Sequence, residues 1–363
     1  MKNSKMIFRM AVVLTLVLAL TVAFAACGNK EEETTQPETT TEVTTTQAPE
    51  PEIIVNRLTG LDNLSEKAIG KRPVAVMINN IKKALPQYGI SQADLLFEML
   101  VEGGITRMMA VYSDYTKMPE ICSVRSCRYY FPIFAHGLDA VYFCFGSNET
   151  LGTPTLKRIG IDYIDGNQIA DKTVFDRDPQ RVNRYSREHT FFLKGPDMPE
   201  ILKKYDIRTD YLEKKDTPIF KFRQDGKITK GNTACDKVNL KFSNSYYSTF
   251  TYDKASKTYK KQHSGNNHID QRTGEQLSFT NIFVLETSVN NYKGTILMEI
   301  DWKGGTGYYI SNGKSQKITW EKKSEGANIK VYNAEGKQLK VNPGKSYIGV
   351  IGKGLTTISA VEA

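Results

Sequence analysis

Two glutamates stand inside a stretch that is otherwise almost wholly apolar. Glu98 and Glu102 belong to Leu95-Leu96-Phe97-Glu98-Met99-Leu100-Val101-Glu102-Gly103-Gly104-Ile105-Thr106-Arg107-Met108-Met109. Carboxylates in such a run need donors, because an unpaired buried charge is costly or shifts its pKa until it is neutral. Val124-Arg125-Ser126-Cys127-Arg128 follows soon after. The planar guanidinium forks of Arg125 and Arg128 suit carboxylates, and Ser126 stands where it could cap a following helix. A second polar cluster runs from Phe175-Asp176-Arg177 through Arg181 to Glu188-His189-Thr190. It puts Arg and His at loop-like positions where a core would not require them. Three kinds of chemistry are open. Glu98, Glu102, Arg107, Arg125, Ser126, Arg128, Arg177 and His189 could line a pocket for an anionic or glycan ligand. Glu98, Glu102 or His189 could work as general acid or base. Or the charges form a buried ion-pair network that fixes the fold and is catalytically silent.

The elements that must position these residues follow from pattern. Gly103-Gly104 reads as a two-residue hairpin turn between strands Leu95–Glu102 and Thr106–Tyr112. In that register Glu102 faces Ile105, Leu100 faces Arg107 and Glu98 faces Met109, so Glu98, Glu102 and Arg107 emerge on one side of the sheet. A helix starting near Ser91 would also align Glu98 with Glu102, at i and i+4. Arg72–Ile78 and Val141–Phe145 read as further strands. Tyr129–Leu138, Thr153–Ile159 and Pro196–Lys204 read as helices, the last with Pro at its start.

Near residue 215 the helical period disappears. Short strands follow at 237–242, 249–252, 282–286, 295–302, 307–310, 315–321, 329–332 and 346–351, separated by turns such as Asn312-Gly313 and Asn342-Pro343-Gly344. This spacing predicts a β-sandwich or small barrel, and Gly304-Gly305-Thr306-Gly307 reads as a turn between strands. The fold class is α+β: an N-terminal mixed α/β domain over 57–214, a mainly β domain over 215–355, and a tail over 356–363.

Other constellations are weaker. Cys122, Cys127, Cys144 and Cys235 form no disulfide scaffold and no zinc spacing. Cys122 and Cys144 read as buried thiols, and Cys122 could pair with Cys127 across a tight turn. His263 to Asp270 reads as a polar hairpin tip, so no metal is assigned. Nucleophile-elbow, His-Glu-x-x-His and phosphate-loop motifs are absent from the sequence, and no cofactor is implied. Trp302, Trp320, Tyr308 and Tyr309 lie on strands and read as core packing, with sugar stacking as the alternative.

The N-terminus reads as an address. Lys2, Lys5 and Arg9 precede an apolar run, Met10–Phe24, of 15 residues that ends in Phe24-Ala25-Ala26-Cys27. That run is shorter than the roughly 20 residues a membrane-spanning helix needs. Small residues before a cysteine suit a lipoprotein signal peptidase, so 1–26 reads as a signal peptide and Cys27 as the lipidated (palmitoylated) residue. Residues 27–56 read as a disordered tether rich in Thr, Pro and Glu. Setting aside three basic residues in 1–26, and one Lys and seven Glu in the tether, leaves 45 basic against 33 acidic residues, a net of +12. Nucleic acid would suit that charge, but no recognition motif is present.

Arg72-Pro73-Val74-Ala75-Val76-Met77-Ile78-Asn79-Asn80, Ser91-Gln92-Ala93-Asp94, Val101-Glu102-Gly103-Gly104-Ile105-Thr106-Arg107, Val124-Arg125-Ser126-Cys127-Arg128 and Phe175-Asp176-Arg177 resemble blocks of the YerB-like lipoproteins. Gly304-Gly305, Gly313-Lys314, Thr319-Trp320 and Asn342-Pro343-Gly344-Lys345 resemble that family's C-terminal domain. The chain departs from the family at Cys127, where a small residue such as Ala is commoner. It departs again at Thr190-Phe191-Phe192, where the family reads more like Asn-Leu-Tyr and a hydrogen-bonding side chain is expected to be lost. The resemblance implies two domains and no settled activity. The resulting expectation is a lipoprotein held by Cys27 on the extracytoplasmic face of a Gram-positive membrane. It would bind a glycan or anionic wall polymer, with wall-glycan hydrolysis by a glutamate pair, or scaffolding of an envelope protein, as the alternatives.

Overall fold

Six consecutive residues, all buried, make strand β1 (Val74–Asn79). A strand covered on both faces needs no polar alternation, which is why Val74–Ile78 is uniformly apolar. The computed structural model describes residues 55–212 and 217–360, so Cys27 and the signal segment lie outside the described residues. The further strands used below are β2 (Leu95–Leu100), β3 (Thr106–Tyr112), β4 (Val141–Cys144) and β5 (Tyr163–Asp165). The second half adds β6 (Lys237–Lys241), β7 (Tyr247–Asp253), β8 (Thr258–His263), β9 (Asn281–Thr287), β10 (Gly304–Ser311), β11 (Lys314–Glu321), β12 (Ser346–Gly352) and β13 (Thr356–Ser359). The helices are α1 (Tyr130–Gly137), α2 (Gly152–Ile159), α3 (Gly166–Ile169) and α4 (Met198–Lys204).

The β-rich half does not close a sandwich of its own. An 11-stranded sheet runs β11-β10-β9-β12-β2-β3-β1-β4-β5, with Thr233–Ala234 and Lys330–Tyr332 both paired to β11. The late strand β12 lies between β9 and β2 and is parallel to both. Ile348 is opposite Phe97 on one side and Phe283 on the other. The two sequence regions therefore share one sheet, and the fold class is α+β. Period-2 patterning identifies strands but carries no information about which neighbour each one takes, so the expected sandwich fails at the pairing step.

Each face of the sheet has its own core. Ala75, Met77, Phe97, Met109, Tyr142, Phe283 and Ile348 pack with Tyr130, Phe131 and Phe134 of α1 and with Trp320. On the other face Val76, Leu96, Met108, Phe143, Val284 and Tyr347 meet Val238, Leu240, Phe250 and Tyr259 of a second, six-stranded sheet and Ile201 and Leu202 of α4. That second sheet runs β8-β7-β6-β13, with Asn266–Asn267 and Ser278–Phe279 both paired to β8. β13 occupies residues read as a tail, since Thr356–Ser359 pair with Lys237–Leu240. Asn56, placed in the tether, is buried and accepts from Ser113 at 2.7 Å.

Local details also differ from expectation. Gly304 to Gly307 lie inside β10, not in a turn, because a Cβ at Gly305 or Gly307 would overlap the backbone oxygens of Glu286 and Val284. Asn312 and Gly313 form the expected hairpin turn, both with positive φ. Cys122, Cys127, Cys144 and Cys235 are free and buried, so Cys122 does not pair with Cys127.

Ile348→Ala removes a side chain that serves both sequence regions at once. The expected cost is about 2–5 kcal/mol, measured by urea denaturation. Fluorescence and far-ultraviolet dichroism should report a single coincident transition.

Candidate functional site

The turn after β2 separates the two glutamates. Val101 N–H bonds the Ile105 carbonyl at 2.8 Å and encloses Glu102-Gly103-Gly104, a three-residue loop in which Gly103 and Gly104 take positive φ. That extra residue shifts the register, so Glu98 is opposite Met108 and Arg107 is opposite Met99. A one-residue shift exchanges sheet faces. Glu98 therefore enters the core beneath the second sheet, while Arg107 lies on the helix side. The predicted grouping of Glu98, Glu102 and Arg107 on one side is corrected, as is the helical alternative.

Glu98 is sealed, its side chain 1% exposed and that of Lys261 0% exposed. Its Oε1 accepts from Asn80 at 3.0 Å and Thr106 at 2.8 Å. Its Oε2 accepts from Ser248 and Tyr347, both at 2.8 Å, and lies 3.2 Å from Lys261 Nζ. Lys261 continues to His268 Nδ1 at 3.2 Å, and His268 Nε2 meets Gln87 Oε1 at 2.8 Å. Gln87 in turn donates to Asn80 Oδ1 at 3.1 Å, which closes a ring of side chains. The donors fix the tautomer. A lysine ammonium only donates, so His268 Nδ1 accepts and its Nε2–H donates to Gln87. Burial alone would raise the Glu98 carboxyl, but Lys261, His263 and the hydroxyl donors outweigh it and leave it below its ordinary value. Burial holds His268 neutral, well below the usual histidine range.

His263 lies beside this ring, its centroid 5.6 Å from that of His268, and neither ring nitrogen has a hydrogen-bond partner among the described residues. Burial, then Lys261 and Lys82, push its pKa down to about 4, with Glu98 and the Asn80 backbone acting the other way. The segment read as a polar hairpin tip is thus partly core: His263, His268 and Asp270 are all buried.

Glu102 pairs with Arg128 instead, whose Nε donates to its two oxygens at 2.6 and 2.8 Å. Burial would raise Glu102, and Arg128 with Arg107 behind it hold it below the ordinary value. Arg107 donates to the Ser126 carbonyl at 2.7 Å. Burial, with Arg128 and Arg125 nearby, depresses it to about 9 against the pull of Glu102. No carboxylate lies in salt-bridge range of Arg107 or Arg125 among the described residues. Ser126 caps no helix, since α1 begins after Tyr129 without a side-chain cap.

Arg125 and Ser126 instead line a cavity of about 350 Å³ with Gly146, Ser147, Asn167, Arg187 and Glu188, floored by Phe145 and Phe191 stacked at 3.8 Å. The cavity lies past the carboxyl ends of β4 and β5, which run parallel to each other and to β1. Open α/β sheets place ligands at such ends, where loops leave neighbouring strands. Asp165 shapes the loops by accepting from Gly146 N–H at 2.6 Å and Asn167 N–H at 2.9 Å. Gly146 has φ +87°, and a Cβ there would press on Ser126 Oγ at 3.3 Å. The Ser147 hydroxyl is shielded and has no hydrogen-bond partner among the described residues.

Arg177 lines an adjoining cavity of about 310 Å³ that shares Phe145, Asn167, Arg187 and Phe191. It donates to Thr190 Oγ1 at 3.0 Å, and Thr190 donates to the Arg187 carbonyl at 2.7 Å, so hydrogen bonding persists at that departure from the family. His189 is buried behind this wall, its Nδ1 2.8 Å from Asn79 Nδ2, and burial lowers its pKa. Cys127 is fully buried, which pushes its thiol up to about 11. Sequence reading missed Lys261, Gln87, Ser147, Asn167 and Arg187, whose roles depend on loops and strands distant in the chain.

Glu98→Gln strands the Lys261 charge and is expected to cost about 3–5 kcal/mol, while the double change Glu98→Gln with Lys261→Met costs less; urea denaturation at neutral pH measures both. The unfolded chain binds a proton at His263 from pH 6.5 downward, the folded chain only near 4. Stability therefore falls across that window as pH falls, by roughly 3 kcal/mol from this group alone. Denaturation midpoints of His263→Phe should show a flatter slope there.

A family model described as the N-terminal domain of a protein of unknown function (DUF3048) matches residues 58–208, and its C-terminal counterpart matches residues 238–348. A putative lipoprotein, YerB, of Bacillus subtilis (strain 168) is 29% identical over 297 residues, which span 81% of this chain and 85% of that protein. The crystal structure of the YerB protein from Bacillus subtilis matches with a TM-score of 0.72 at 25% identity, over 84% of this chain and 99% of that one. With both domain models matched in order and the fold in agreement with that of the YerB protein, this chain belongs to the DUF3048 family.

Proposed function

We propose that the protein is a lipid-anchored binding protein on the extracytoplasmic face of the cell membrane. In this reading it holds an anionic polymer of the cell envelope at the cavity flanked by Arg125 and Arg187. The observation that carries the reading is charge without an internal partner. Two arginines share the cavity wall with one carboxylate, Glu188, and Arg125 makes no ion pair among the described residues. Behind them Arg107 adds a buried cation, and Glu102 answers Arg128. Asp165, beneath the loop, is engaged by two backbone N–H groups. Guanidinium groups next to shielded hydroxyl and amide groups suit phosphate or carboxylate oxygens. The anchor rests on Cys27 behind its signal-like segment and on the naming of the relative as a putative lipoprotein.

Cys27→Ser should move the chain from the membrane fraction to the soluble fraction. Binding of the full chain, held in detergent micelles, to purified anionic wall polymer can be followed by co-sedimentation. Arg125→Ala combined with Arg187→Ala is expected to weaken it about tenfold or more, and rising salt should weaken the unaltered protein similarly. Equal binding by the double variant would sink the assignment. Polymer shortened in mass spectra would favour hydrolysis, and a captured envelope protein with no polymer would favour the scaffold.

A further inference from the structure

The surface of β9, β10 and β11 carries a second concavity with a different chemical character. Glu286, Thr306 and Thr319 form one cross-strand row, and Val284, Tyr308 and Lys317 form the next. Side chains in such a row share a face of the sheet. Val284 is buried in the core under the second sheet, whereas Tyr308 is only half-buried at the margin of that core. Beyond that margin the sheet face is open, and β13 supplies an opposing wall through Thr356 and Ile358.

Two cavities of about 650 and about 520 Å³ meet here and share Tyr308, Lys317 and Ala334. Each lies within the roughly 300–1,000 Å³ typical of ligand sites. Amide and hydroxyl groups recur on the walls, with Asn232, Thr233 and Gln316 in the larger cavity and Thr306, Thr319 and Asn333 in the smaller. The charges balance, Lys230 and Lys317 against Glu286 and Glu335. The Thr356 hydroxyl is shielded within the larger wall and has no hydrogen-bond partner among the described residues.

A polyanion gains no net attraction from such a wall. A sugar ring does fit it: the C–H face of the ring packs on an aromatic face, and its hydroxyls both donate to and accept from amides and hydroxyls. We propose that this cleft binds an uncharged oligosaccharide, with Tyr308 as the stacking platform and the surrounding amide and hydroxyl side chains taking up the sugar hydroxyls. The proposal does not depend on the arginine cavity and assigns a separate site.

The test is calorimetric titration of the full chain in detergent micelles with the tetramer of N-acetylglucosamine and with maltotetraose. Saturable binding of at least one is expected, weakened about tenfold by Tyr308→Ala and less than about threefold by Tyr308→Phe. Asn232→Trp, at an exposed position, fills the larger cavity without touching the core and should weaken binding at least as much. It keeps the test decisive should circular dichroism show that Tyr308→Ala does not fold. Arg125→Ala should leave the titration unchanged. Absence of binding by either sugar, full binding in Asn232→Trp, or loss of binding in Arg125→Ala would overturn the assignment.

Discussion

A carboxylate placed on the inner face of a central strand must be answered from within the fold, and that need organises this structure. Glu98 is answered by Lys261, Ser248 and Tyr347 from the second half of the chain and by Asn80 and Thr106 from the first. The ion pair is not a large source of net stability, since desolvating both charges offsets most of their attraction. Its consequence is specificity: a second sheet set one residue out of register would bury both charges unpaired. Such an alternative packing costs far more than the pair itself contributes. The network thus selects one arrangement of the two halves over others with similar apolar contact.

Much of this architecture is legible in the residues. Uniform apolar runs identify β1 and β4, the Pro-initiated segment identifies α4, and Asn312-Gly313 identifies the hairpin between β10 and β11. The failures have a common cause. A loop longer by one residue, at Glu102-Gly103-Gly104, decides which face each charge meets, and pattern alone does not measure loop length. The lysine that answers Glu98 lies in Thr258 to His263, a strand that pattern does not reveal because two of its three inward positions are Lys and His. Pairing of β12 between β2 and β9 is set by packing across the whole molecule, and residue types do not encode it locally. Of the candidate site residues, Arg125 and Ser126 do meet at a cavity, joined there by Arg187 from the later polar cluster, because the loops after β4 and β5 converge on them.

The charged residues divide into two populations with different physical roles. Those under the second sheet are saturated: each donor in the ring has an acceptor, and solvent does not reach them. Those past the ends of β4 and β5 are not saturated, and their cost is borne by depressed arginine pKa values rather than by pairing. Stability belongs to the first population. In the proposed function the second population is the binding one, where an incoming anion would relieve repulsion that the fold itself leaves standing.

The position of β12 has a consequence for how the molecule comes into being. Chains emerge with the N-terminus first, and β2 is complete long before Ser346–Gly352. Until those residues arrive, one edge of β2 presents unpaired N–H and C=O groups beside an apolar face, the arrangement most prone to mispairing with other chains. Closing a sheet through partners so distant in sequence is also slow. Assembly of this sheet is therefore held back until Ser346–Gly352 has appeared. A helper that shields that edge, or a crowded surface that offers it a wrong strand, would decide the yield of folded protein more than the strength of any contact in the finished structure.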